Sequence, residues 1–278
     1  MGIFICPHCG EPLEHQARSL RCELGHCFDL SAEGYVNLLE ANRKHSKLPG
    51  DSAEMVRARS EFLSRGYYAP LQKALCEAVA DAVCSGAKKS PVILDCGCGE
   101  GYYTEAIIRN LPFAEVYGVD ISKTAVKKAA RRACAAGGKD GRFAVASVYH
   151  LPAAEGSADL ILNVFAPLAL SEFSRVLAPG GVMIYVVPGK EHLWQMKQIL
   201  YPSPYPNTSE KTEYPGFHYR NILSMRDWIT VSGGDIMALF SMTPYLWRTP
   251  KEGVARLRNT GILKTQIEFD LHIFQKDF

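Results

Sequence analysis

The stretch from Pro91 to Asn110 admits few folds. Pro91-Val92-Ile93-Leu94 is a short apolar run; Gly97, Gly99 and Gly101 follow at alternate positions; a helical pattern then runs from Thr104 to Asn110. This reads as a strand, a tight turn and a helix start. Glycine serves where φ is unusual or where a ligand must approach the backbone. The helix N-terminus adds free N–H groups and the positive end of the macrodipole. Such a turn binds a nucleotide-type ligand at the carboxyl end of a strand in an open α/β sheet.

The elements around it alternate. Strands are expected at Glu115–Val119, Phe143–Ala146, Ala158–Val164 and Val182–Val187, and helices at 103–110, at Ser122–Ala136 with Ser122 as cap, and at Leu170–Leu177. Short connections in βαβα order predict an α/β fold with a doubly wound parallel sheet. Upstream, helices are expected at Ala53–Arg65, capped by Asp51 or Ser52, and at Leu71–Cys84. Downstream, Lys190–Leu200 reads as helix and Tyr201–Tyr219 as an irregular insertion. Leu223–Phe240 reads as one or two helices broken at Gly233-Gly234, and Thr265–Phe274, with alternating Ile267, Phe269, Leu271 and Ile273, as a strand.

A second signal lies at the other end of the 278-residue chain. Cys6-Pro7-His8-Cys9 has the C-x2-C spacing, and Cys22 and His26 follow with C-x3-H spacing. Cys6, Cys9, Cys22 and His26 make a Cys3His set, the closed tetrahedral arrangement of structural zinc. Cys27 is an alternative fourth ligand, and His8 and His15 are spares. His26 is preferred because Cys27 precedes Phe28 in an apolar-alternating run. The expected organisation is a zinc-binding module over 1–39, a linker and helices over 40–90, and the α/β domain over 91–278. Nine cysteines, an odd count, argue against a disulfide framework and for a reducing, cytoplasmic setting. No apolar run reaches the ~18 residues of a membrane span. A net charge of +2 gives no global case for nucleic acid; a local basic cluster, Arg43-Lys44-His45-Ser46-Lys47, is a candidate phosphate contact or a solvated linker.

The glycine pattern is G-x-G-x-G, not the G-x-G-x-x-G that favours NAD. Asp95 precedes the first glycine by two residues, and Asp120 ends the next strand, where an acid that holds ribose hydroxyls belongs. This D-x-G-x-G-x-G form resembles the first motif of the class I S-adenosylmethionine-dependent methyltransferases, as does Pro179-Gly180-Gly181. With the cysteine set, Glu33–Leu39, Pro49–Met55, Gly66–Leu71, Pro188–Leu193 and Met242-Thr243-Pro244, the chain resembles the RlmA family of 23S ribosomal RNA guanine-N1 methyltransferases along nearly its whole length.

The resemblance implies zinc on Cys6, Cys9, Cys22 and His26, and S-adenosylmethionine contacts from Tyr68, Gly99, Glu100 and His192. Asp95, Gly97 and Asp120 join these from the motif and the strand order. It also implies a 23S ribosomal RNA hairpin as partner. No membrane partner is expected, and a homodimer is one expectation for the oligomeric state. A base must remove the guanine N1 proton; His192, Asp51, Glu54 and Glu100 are the candidates. Phe165, in Asn163-Val164-Phe165-Ala166-Pro167, is a candidate for stacking on the base, as are Tyr201, Tyr205, Tyr214 and Tyr219. A small-molecule methyltransferase with a structural zinc module, and a non-catalytic RNA-binding adaptor, are the alternatives.

Overall fold

The computed structural model describes residues 2–40, 50–84, 88–208 and 213–277. The basic cluster Arg43–Lys47 lies outside the described residues. The chain opens with a small antiparallel sheet of three short strands, β1 (Glu14–Gln16), β2 (Ser19–Arg21) and β3 (Cys27–Asp29). Strand β4 (Tyr35–Asn37) and helices α1 (Ala53–Ser64) and α2 (Ala69–Cys84) follow. Ser52 caps α1 by accepting the Met55 N–H at 3.2 Å.

The alternating region follows as β5 (Val92–Cys96), α3 (Tyr102–Asn110), β6 (Glu115–Asp120), α4 (Lys123–Ala135), β7 (Phe143–Val145), β8 (Ala158–Val164), α5 (Leu170–Val176) and β9 (Leu177–Pro188). Then come α6 (Trp194–Leu200), β10 (Phe217–Ser232), α7 (Gly234–Ser241), a 3-10 turn (Pro244–Trp247), α8 (Lys251–Arg258) and β11 (Ile262–Lys276). The main sheet has eight strands in the order β10-β11-β9-β8-β5-β6-β7-β4. Strands β4 to β9 pair in parallel; β11 runs antiparallel to β9, and β10 antiparallel to β11. The doubly wound sheet is therefore mixed, with a long hairpin on one edge.

Parallel strands in such a sheet are covered on both faces. Ile93, Leu94 and Cys96 of β5 accordingly have no exposed surface. One apolar cluster contains Phe62, Leu71, Leu75, Ile107, Val126, Leu239 and Phe269. The other joins Phe4, Cys6 and Cys22 to Leu94, Val119 and Phe173.

That second cluster spans the boundary expected at residue 39. Strand β4 is the outermost parallel strand of the main sheet, with Tyr35 opposite Phe143 and Asn37 opposite Val145. Leu38 N–H donates to Val145 O at 3.0 Å, and Ile5 N–H to Pro152 O at 2.9 Å. The module therefore shares both sheet and core with the α/β domain.

The helices expected over Leu223–Phe240 are half corrected. Residues 217–232 form β10, paired along its length to β11, and the helix begins only at Gly234. Ile229 and Val231 are buried while Thr230 is exposed, a period-two pattern found only at the two ends of the strand. Long-range pairing decides the middle of β10, where most residues from Arg220 to Trp228 are exposed on both faces.

Candidate functional site

Three left-handed glycines shape the turn after β5: Gly97 (φ 85°), Gly99 (φ 54°) and Gly101 (φ 81°). A Cβ on Gly97 would stand 2.3 Å from Ala166 Cβ, and one on Gly101 would stand 2.8 Å from Ala129 Cα. The turn is fastened to β6: the Gly97 and Cys98 N–H groups donate to Val119 O. The Gly99 N–H donates to Asp120 Oδ2 at 3.0 Å, and the Ser122 N–H to Asp120 Oδ1 at 2.7 Å.

Asp95, 2% exposed, accepts the Thr104 hydroxyl on Oδ2 at 2.6 Å. Burial pushes its carboxyl up to about 7, with Asp120 adding to the effect and Thr104 opposing it. Burial likewise raises the Glu100 and Asp120 carboxyls.

These residues open into a cavity of about 770 Å³. Tyr68, Asp95, Gly97, Gly99, Glu100, Asp120 and His192, expected from four separate stretches of chain, all line it. Tyr68 is buried and lies edge-on to Phe269, with ring centres 5.1 Å apart, and to His192, at 6.3 Å. Burial raises its hydroxyl far above the ordinary tyrosine range.

His192 is 5% exposed, and burial, followed by the nearby Lys197 ammonium, lowers its imidazole to about 3. Its Nδ1 accepts the Glu268 N–H at 3.2 Å. The ring is therefore neutral with its proton on Nε2, a hydrogen-bond donor there and not a proton acceptor. Of the other candidate bases, Glu54 is exposed and off the cavity wall, Asp51 lines it in an ion pair with Arg59, and Glu100 lines it directly.

Phe165 stands at the end of β8 with φ 56° and 45% exposure, its ring centre 5.4 Å from that of Phe269. A left-handed phenylalanine is costly and concentrates at functional sites. The conformation is held from below: Asn163 is fully buried, and its Nδ2 donates to Cys96 O (3.3 Å) and Pro167 O (3.1 Å). The tyrosines of the insertion divide. Tyr214 and Tyr219 pack on Phe274, Tyr201 hydrogen-bonds Thr249, and Tyr205 is exposed.

Sequence reading missed Arg59, Tyr103, Ser147–Tyr149, Asn207 and Tyr245 on the same wall. The segment after the third strand of a doubly wound unit is a recoverable signal for Ser147–Tyr149. Nothing local marks Asn207, whereas Tyr245 directly follows Met242-Thr243-Pro244, which also lines the wall.

The fold suits S-adenosylmethionine, and the residues fit it. Asp95 Oδ1, Glu100 Oε1 and the Tyr103 hydroxyl are buried on or behind this wall without a hydrogen-bond partner among the described residues. Buried polar atoms of this kind call for a ligand's polar groups. The acids suit a cationic amino acid moiety and ribose hydroxyls.

The metal set also fits. The ligand atoms of Cys6, Cys9, Cys22 and His26 lie within 4.8 Å of one another. Cys9 and Cys22 sulfurs are 3.7 Å apart, and His26 Nδ1 is 3.5 Å from Cys6 Sγ and 3.4 Å from Cys22 Sγ. Tetrahedral zinc with ordinary bond lengths places two sulfurs about 3.8 Å apart and sulfur and nitrogen about 3.5 Å apart. Cys27 is exposed on β3 and stands outside the cluster, which His26 completes as the fourth candidate.

Comparison with known proteins agrees with this geometry. Residues 4–47 match the family model described as "RlmA, N-terminal", and residues 93–181 match "Methyltransferase domain". A 23S rRNA (guanine(748)-N(1))-methyltransferase from Streptomyces fradiae is 40% identical over 196 residues, 70% of this chain and 66% of that protein. YxjB of Bacillus subtilis (strain 168), provisionally named a 23S rRNA (guanine-N1)-methyltransferase, is 33% identical over 288 residues, 99% of this chain and 98% of that one. The fold is shared with the crystal structure of YcgJ from Bacillus subtilis, at a TM-score of 0.51 and 17% identity, over 74% of this chain and 98% of that one. With a match that runs the length of both chains, the protein belongs to the RlmA family of 23S rRNA (guanine-N1)-methyltransferases.

Proposed function

We propose that this protein transfers a methyl group from S-adenosylmethionine to N1 of a guanine in a hairpin of 23S ribosomal RNA, in the cytoplasm. In this reading Tyr68, Asp95, Gly97, Gly99, Glu100, Asp120 and His192 hold the cofactor. Cys6, Cys9, Cys22 and His26 hold a structural zinc ion. The observation that carries the reading is that all seven cofactor candidates share one cavity with the exposed, left-handed Phe165.

S-adenosylmethionine supplies an electrophilic methyl group on a sulfonium. The chain supplies position, which can account for much of the rate in such a transfer. Asp120, fixed by two backbone N–H groups, keeps the remaining acceptor capacity of its carboxylate for ribose hydroxyls. The Tyr68–Phe269–His192 cluster forms an apolar wall that excludes water and favours a nearby cation. Phe165 offers a face for stacking a splayed-out guanine. N1 carries a proton at neutral pH; His192 does not take it, since its Nδ1 is occupied by the Glu268 N–H. The acids on the wall are Asp51, Asp95, Glu100 and Asp120, of which Asp51 and Glu100 are the two base candidates nominated from sequence.

The test is methyl transfer to undermethylated 23S ribosomal RNA, followed by nuclease digestion and mass spectrometry. N1-methylguanosine is the expected product. A methyl group on another atom, or none with cofactor-bound protein, overturns the proposal. Turnover that survives loss of the zinc ligands in a folded protein, on a small molecule but not on RNA, would favour a small-molecule enzyme instead.

A further inference from the structure

Lys197, on α6, is 1% exposed. A buried ammonium is costly unless its donors are satisfied. Its Nζ donates to Tyr205 O at 3.0 Å and to Asn207 Oδ1 at 2.6 Å, and it stands 5.3 Å from the ring centres of both Tyr205 and Tyr245. Among the described residues its partners are all neutral. An apolar side chain of the same length would fill the volume without the desolvation cost, so packing alone does not account for a charge at this depth.

The bonds continue from Asn207 to the cavity. Asn207 Nδ2 donates to Gly189 O at 2.8 Å, and its N–H donates to Lys190 O at 2.9 Å. The opposite side of this loop is fastened to β11. The Gly189 N–H donates to Glu268 O at 2.8 Å, the Glu191 N–H to Glu268 Oε2 at 2.6 Å, and the Glu268 N–H to His192 Nδ1 at 3.2 Å. The loop is thus clamped between Glu268 and Asn207. Pro188, His192, Asn207 and Tyr245 all reach the cavity wall. The segment bearing Asn207 has no regular secondary structure from Tyr201 to Thr208, so side chains must order it.

We propose that Lys197 is a positioning residue of the methyl-transfer site: its buried ammonium fixes Asn207, and through Asn207 the Gly189–His192 loop that brings His192 to the cavity. The inference rests on the reading of this cavity as the cofactor site. The ammonium has a second effect in the same direction, opposing a positive charge on His192.

The test uses the full chain with zinc bound. Lys197→Met, Asn207→Leu and the double variant are titrated calorimetrically with S-adenosylhomocysteine, and their melting temperatures are measured. Each single variant should weaken binding on the order of 10-fold, the loss of one charged hydrogen bond. Lys197→Met should melt within a few degrees of the parent, whereas Asn207→Leu, which takes an acceptor from the buried ammonium, should melt lower. The double variant should be no weaker than the weaker single, because the two residues act as one unit. Should Lys197→Met fail to fold, Asn207→Leu, at a half-buried position, carries the same expectation alone. Folded single variants that bind like the parent, or losses that multiply in the double variant, overturn the proposal. A parent protein that binds no S-adenosylhomocysteine overturns the cofactor reading instead, which separates the two failures.

Discussion

The zinc set and the cofactor cavity are assembled by opposite means. The four candidate metal ligands come from one stretch, Cys6 to His26, whereas the cavity wall runs from Gly50 to Phe269. The first is fixed by local spacing, and the ion itself supplies the organising energy. The second is fixed by strand order, which sets the carboxyl ends of β5, β6 and β8 side by side. The two are not independent, since Cys6 and Cys22 pack in the same cluster as Leu94 and Val119 of β5 and β6.

Removing the metal should have the largest effect. Binding to such a site is worth roughly 10–16 kcal/mol in isolated zinc-finger peptides. Chelation, or Cys22→Ser, should therefore unfold residues 2–40 and lower the melting temperature of the whole protein, because β4 and the second cluster go with the module. Calorimetry beside a zinc-release dye measures both. Zinc loss without a change in melting would show the module to be a free appendage and break the link between the two sites.

Gly97→Ala strikes the other site. It places a Cβ where φ is 85° and where Ala166 Cβ would be 2.3 Å away. Strain of about 1–3 kcal/mol, with the clash added, should cut S-adenosylhomocysteine affinity more than 100-fold while zinc content stays at one per chain. An alanine variant that binds like the parent would mean that the turn yields, and that its shape is not what selects the ligand.

The same contrast explains what could be read in advance. The zinc ligands and the glycine turn are dense local patterns, and β5, β6 and β8 are buried on both faces, so their apolar runs are visible without knowing the fold. The part of β10 from Leu223 to Ser232 reads as helix because its partner, β11, lies thirty or more residues downstream, and most of its side chains face solvent on both sides. On β11 the alternation of Ile267, Phe269 and Leu271 was legible. The burial of Gln266, Glu268, Asp270 and His272 on the other face was not, since their partners come from distant residues such as Ser224 and Arg226. Tyr68 and His192 stand on single residues whose place in the cavity depends on the whole topology. Resemblance nominates them where periodicity has no means to.

A pH experiment sharpens the electrostatic side of the comparison. The Asp95 carboxyl rises from 3.8 to about 7 on folding, chiefly through burial. The folded protein then holds more protons than the unfolded chain between about pH 4 and pH 7, so this group lowers stability as pH rises through that window. Asp95→Asn should remove the slope and gain on the parent at pH 8 relative to pH 5, by on the order of 2 kcal/mol. Denaturant midpoints of the ligand-free protein at the two pH values measure it. Parallel pH profiles for parent and variant would show that Asp95 is solvated more than its burial implies.

The smallest effect expected separates the two ligands of one cavity. Phe165 is off the glycine turn but beside it, and its exposure marks it for the methyl acceptor rather than the cofactor. Stacking of a base on an aromatic ring is worth about 1–3 kcal/mol. Phe165→Ala should therefore raise KM for the RNA, or lower kcat, about 10-fold while leaving S-adenosylhomocysteine affinity alone. The left-handed backbone confounds alanine, which is itself strained at φ 56°. Phe165→Gly removes the ring and tolerates the conformation. Equal defects in the two variants assign the loss to the ring. A defect in alanine alone assigns it to the backbone at the end of β8, and equal weakening of cofactor and RNA would place Phe165 in the cofactor wall.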